Sequence, residues 1–185
     1  MDENEILKQV RSSYFLKLEV GNNEVEILSS SGFLKSHYIG GKNVICKGEE
    51  CFFCSKKSPV KKEIYYWAKI KGQEGYLKLP LSVFIQMMDL INSGSFGIQK
   101  PRDAKWLVIK KGQGKETRYT VNFLGRVEPN EEVIKKNSEK VEKFIKKMKE
   151  KYNQNYEEKF KELNPDLEVN PGENTEIVNP EDIPF

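Results

Sequence analysis

The chain has 185 residues, with 31 Lys and Arg against 28 Asp and Glu, one His and three Cys, for a net charge of +3. That length suits one domain with appendages. Nothing reads as a signal peptide or a membrane span, because Lys, Glu or Gly breaks every apolar run within a few residues. The expectation is a protein of a reducing cytoplasm with no membrane partner, where thiols stay free unless a metal takes them.

The modest net charge conceals an asymmetry. Lys35 to Glu128 holds eighteen Lys and Arg against eight Asp and Glu, whereas Glu162 to Phe185 holds seven acidic side chains and no basic one. A basic body with an acidic tail fits a polyanion-binding surface.

In chain order, residues 1–12 read as an N-terminal arm. Ser13–Val20 alternates as a strand, with Tyr14, Leu16, Leu18 and Val20 on one face. Gly21-Asn22-Asn23 reads as a turn, Glu24–Leu28 and Gly32–Ile39 as strands, and Gly40 to about Val60 as a loop rich in Gly, Lys and Cys. Glu63–Lys71 and Tyr76–Leu79 are strands around a Gly72–Gly75 turn. Pro80 opens a helix carrying Leu81, Phe84, Ile85, Met88 and Ile91, which Gly94 closes. Ala104–Lys111 and Thr117–Leu124 form a last hairpin. A run of strands, one helix and two more strands predicts a mainly β fold, a Greek-key barrel of the OB type, over residues 13–128. Residues 129–163 predict an amphipathic helix, with Asn153-Gln154-Asn155 as its weak point, that packs on the barrel or on a second copy of the chain. Residues 164–185, acidic and punctuated by Pro165, Pro171, Pro180 and Pro184, predict a disordered tail.

The only His and all three Cys fall within eighteen residues, as His37, Cys46, Cys51 and Cys54. Three thiolates and an imidazole make a Cys3His set for structural Zn²⁺, and the closing C-x2-C lets one tight knuckle supply two of them. Residues 37–60 are therefore expected to be a zinc subdomain, although iron or cobalt suits a similar site. A redox dithiol at Cys51 and Cys54 lacks a surrounding βαβ pattern. No catalytic triad, carboxylate pair or phosphate-binding loop is present, so the chain reads as non-enzymatic, with no catalytic residues.

Alternation along Glu63–Lys71 puts Tyr65, Trp67, Lys69 and Lys71 on one face. The last hairpin adds Trp106, Lys110, Lys111 and Arg118. Aromatics interleaved with cations on a sheet suit single-stranded nucleic acid, whose bases stack while cations track phosphates. The final residues, Glu181-Asp182-Ile183-Pro184-Phe185, join acidic charge, two apolar anchors and a terminal carboxylate. They read as a docking tip for a basic pocket on a partner protein.

That tip resembles the acidic C-terminal tip of bacterial single-stranded DNA-binding proteins (SSB). The order His37, Cys46, Cys51, Cys54 between strands is similar to the zinc-containing helix-destabilising proteins of T-even phages. The resemblance covers Tyr14 to Val127 by order of features and the tail by a short motif, and a basic N-terminal cooperativity motif is matched only loosely at Lys8–Ser13. It implies an OB-fold with an inserted zinc subdomain, single-stranded DNA binding in replication, recombination or repair, and recruitment of those enzymes through the tip. It also implies a bacterial cell as the setting, with a phage-encoded origin reconciling the two likenesses. The competing reading is a zinc-knuckle adaptor between proteins, without intrinsic affinity for single-stranded DNA.

Overall fold

The computed structural model describes residues 15–165. Eight strands lie among the described residues: β1 (Phe15–Leu16), β2 (Gly21–Ile27), β3 (Gly32–Ile39), β4 (Lys42–Ile45), β5 (Lys61–Ile70), β6 (Gln73–Leu79), β7 (Ala104–Lys111) and β8 (Arg118–Arg126). Three α-helices accompany them: α1 (Phe52–Ser55), α2 (Leu81–Asn92) and α3 (Glu131–Leu163), which follows the last strand. The fold is mainly β with a long C-terminal helix. No helix among the described residues is long and apolar enough to cross a membrane.

The strands form one mixed sheet in the order β1-β6-β5-β2-β7-β8, which does not close on itself among the described residues. Only the β1–β6 pair is parallel. β5 organises the sheet. Ile64–Ile70 pair with β6 along one edge, while the other edge takes β3 against Lys61–Tyr65 and β2 against Ala68–Ile70. β4 extends β3 beyond that junction.

The main core lies inside the curved sheet, where Val25, Ile27, Tyr66, Ala68, Leu77, Trp106 and Val108 meet. α2 plugs it with Val83, Met87 and Ile91, which recur every four residues on one face. Each such side chain contributes about 1.5–3 kcal/mol through burial. β5 is buried on both faces over Glu63–Ala68, because α3 lies across the side that faces away from this core. Gly32 permits the contact: a Cβ there would stand 2.6 Å from side-chain carbons of Val141 and of Ile145.

Five local expectations change. The expected Gly72–Gly75 turn tightens to Lys71–Gly72, with β6 beginning at Gln73. Within the described residues, the predicted strand at 13–20 shortens to Phe15–Leu16; Ser13 and Tyr14 lie outside them. Gly21-Asn22-Asn23 is the start of β2 rather than a turn. Asn23 is fully buried, and its amide donates to the carbonyls of Glu19 (2.8 Å) and Val108 (3.1 Å), fastening the bend before the strand. The loop from Gly40 contains β4, reached through Gly40 and Gly41 at φ of +51° and +83°, a turn that two glycines adopt without strain. Finally, α3 runs unbroken through Asn153–Asn155, and Asn155 donates to the Asn43 carbonyl at 2.7 Å.

Candidate metal centre and its surroundings

Three elements deliver the four predicted ligands. His37 comes from β3, Cys46 follows the end of β4, Cys51 precedes α1, and Cys54 lies within α1. Two backbone bonds shape the loop: Cys46 N–H to the Lys35 carbonyl at 3.0 Å, and Cys51 N–H to the Gly48 carbonyl at 3.2 Å, with Gly48 at φ +74°. The result is a cluster whose four donor atoms all lie within 4.8 Å of one another. Cys51 Sγ and Cys54 Sγ each stand 3.4 Å from His37 Nε2, and Cys46 Sγ is 3.6 Å from Cys54 Sγ. A tetrahedral ion with metal–sulfur bonds of about 2.3 Å and metal–nitrogen bonds of about 2.0 Å requires ligand separations of about 3.5–3.8 Å. The donor set fits one such ion.

Ligand orientation and protonation agree with that. His37 is fully buried, and its Nδ1 lies 3.1 Å from the Pro59 carbonyl. A carbonyl only accepts, so Nδ1 carries the proton and the Nε2 lone pair faces the three sulfurs. Burial, then hydrogen bonds and repulsion from Cys46 and Cys51, push the Cys54 thiol up to about 11. At Cys51 burial acts upward as well, but backbone hydrogen bonds from Lys47, Cys54 and Phe53, with one from the Cys54 side chain, bring the thiol below its ordinary value. Three thiolates packed this closely need a cation among them to coexist.

The knuckle is sealed by α3. Phe53, nearly fully buried, meets Tyr156 edge to face at 5.1 Å, and Phe52 meets Phe160 likewise at 5.1 Å. Tyr156 Oη accepts from the Phe52 N–H at 3.1 Å. Lys47 Nζ lies 4.1 Å over the Tyr156 ring and 2.8 Å from Glu157, while Lys42 reaches Glu158 at 2.7 Å. Sequence reading found the ligands but missed Phe52, Phe53, Tyr156 and Phe160 as their packing shell. The available signal was the pair of phenylalanines inside the C-x2-C, too apolar for a solvated loop.

The predicted aromatic face is corrected. Tyr65 and Trp67 do share a face, but α3 covers it with Val141, Phe144 and Ile145, and Lys140 Nζ sits 4.1 Å from the Trp67 ring. Trp67 Nε1 donates to Glu74 at 3.2 Å. Burial also pushes the Tyr65 hydroxyl far above its usual range, followed by repulsion from Glu63. Trp106 is fully buried in the main core, donating to the Pro101 carbonyl at 2.7 Å. In this conformation none of the three rings has a face free to stack on a base.

The predicted cations fare differently. Lys69 is half-buried; Lys111 and Arg118 are exposed and stand opposite each other in the β7–β8 ladder. Lys71 pairs with Glu19, and Lys110 donates to the Leu18 carbonyl at 3.1 Å. Lys110 also lines a groove that sequence reading missed, of about 460 Å³, beside Phe15, Lys17, Lys78, Pro80 and Tyr119. The predicted tip, Glu181, Asp182, Ile183, Pro184 and Phe185, lies outside the described residues.

No protein-family model matches this chain, and neither a curated protein nor a solved structure matches it.

Proposed function

We propose that this chain is a non-enzymatic single-stranded DNA-binding protein of replication, recombination or repair, built on an OB-type barrel and braced by structural zinc. The observation that carries the reading is the groove at the open seam of the sheet. Its lining is apolar, aromatic or cationic: Lys17, Lys78 and Lys110 stand around Phe15 and Tyr119, with the Lys78 ammonium paired to the buried Glu63 behind the wall. Phe15 is 40% exposed there. Rings bordered by cations match the chemistry of a single strand, whose bases stack and whose phosphates need positive charge. Strand connectivity also supports an OB-type reading. β2 is bonded to β5 on one side and β7 on the other, and α2 links β6 to β7. The Cys3His set supports zinc, the ion that most commonly takes thiolates and imidazole in a closed tetrahedral site.

Under this reading the acidic tip recruits partner enzymes, and the rest of the chain holds DNA. Fluorescence anisotropy of labelled oligo(dT) with the metal-loaded chain tests the first part. Affinity should fall linearly on a log–log plot as salt rises. Absence of binding at low salt would overturn it. Removing residues 179–185 should abolish capture of replication or repair proteins without weakening oligo(dT) binding. The burial of Tyr65 and Trp67 under α3 favours the competing adaptor reading, in which the chain binds proteins and shows no affinity for the oligonucleotide.

A further inference from the structure

Of the two faces of the β3–β5 junction, α3 covers one. Gly32, Leu34 and Ser36 of β3 point to it and are buried, as are Glu63 and Tyr65 of β5. The alternate positions of β3, Phe33, Lys35 and His37, point the other way. His37, near the end of this strand, enters the metal cluster. In register, Phe33 stands opposite Ile64 at the rim of the main core, and Lys35 stands opposite Lys62.

That last pair is unusual. Two lysines directly across an antiparallel ladder repel each other. Both are exposed, and neither has a carboxylate within ion-pair distance among the described residues. The neighbouring Lys61 does have one, Glu63, but on the covered side. Beside the pair, the Phe33 ring is 44% exposed, with Lys35 Nζ 6.0 Å from its centroid. Phe33 also borders a groove of about 360 Å³ on its other side, where α3 contributes Lys146, Lys149 and one acid, Glu142. An exposed aromatic thus sits between two pairs of cations, with a single carboxylate nearby.

We propose that this strip, Phe33 with Lys35 and Lys62 on one side and Lys146 and Lys149 on the other, is a second contact for single-stranded nucleic acid. Phe33 supplies a stacking platform, and the lysine pairs hold the flanking phosphates. Bound phosphate relieves the repulsion between Lys35 and Lys62. The inference rests on the single-strand reading above but is separable from it, because it shares no residue with the seam groove.

The test uses the full, metal-loaded chain and labelled oligo(dT), with metal content and melting temperature recorded for each variant. Phe33→Ala should weaken binding about tenfold at fixed salt while leaving the salt slope unchanged. The double variant Lys35→Ala/Lys62→Ala should reduce the magnitude of the slope by about 1.4, two phosphate contacts in a single strand, without lowering the melting temperature. Phe33→Trp should bind as the wild type does, and its added fluorescence should be quenched by oligo(dT). Wild-type affinity and slope in both alanine variants, or an unquenched Phe33→Trp that still binds, would overturn the inference while sparing the single-strand reading. A wild-type chain that binds no oligo(dT) would sink both.

Discussion

The two ends of α3 are held by different chemistry. Its N-terminal half lies on the sheet through Val141, Phe144 and Ile145 against Tyr65 and Trp67, a contact made of pre-existing secondary structure. Its C-terminal half packs Tyr156 and Phe160 into a cluster with Phe52 and Phe53 of the knuckle and Val44 of β4. The first contact needs only burial. The second surrounds the four candidate ligands, so a bound ion is expected to brace one end of the helix and not the other.

Removing ligands attacks that difference most strongly. His37→Ala or Cys54→Ser should abolish the bound metal, measured as one ion per chain falling to none, because structural zinc contributes on the order of 10 kcal/mol to small sites. Trp106 emission, reporting on the main core, should stay unchanged. Trp106→Ala tests the opposite region and should lower global stability by about 3–5 kcal/mol in a denaturant titration, with metal retained. Gly32→Ala drives a methyl group into Val141 and Ile145 and should cost about 1–3 kcal/mol, reported by freer access of quencher to Trp67. Tyr156→Phe deletes only the acceptor of the Phe52 N–H and should cost about 1 kcal/mol, confined to the knuckle and read as faster amide exchange at Phe52.

What the sequence disclosed follows the same division. The ligand set was legible because its spacing is local: all four residues fall within one stretch and the chemistry names them. The stripe of α3 was also legible, through Val141, Ile145, Tyr152 and Tyr156. Its target was not. Alternation in β5 shows that Tyr65 and Trp67 share a face, but periodicity does not tell whether solvent or a helix eighty residues later meets that face. The unbroken apolar run Ile64–Ala68 was the available hint, since a strand with one solvated face alternates. Lys35 and Lys62 were invisible for a related reason: their opposition exists only once the β3–β5 register is known.

Hydrogen exchange along α3, measured with the metal bound and after chelation, tests the division most directly. Chelation should strip protection from residues 150–163 and from the knuckle, while residues 134–146 keep theirs. Equal loss at both ends, or no loss at either, would contradict a helix held by metal at one end and by the sheet at the other.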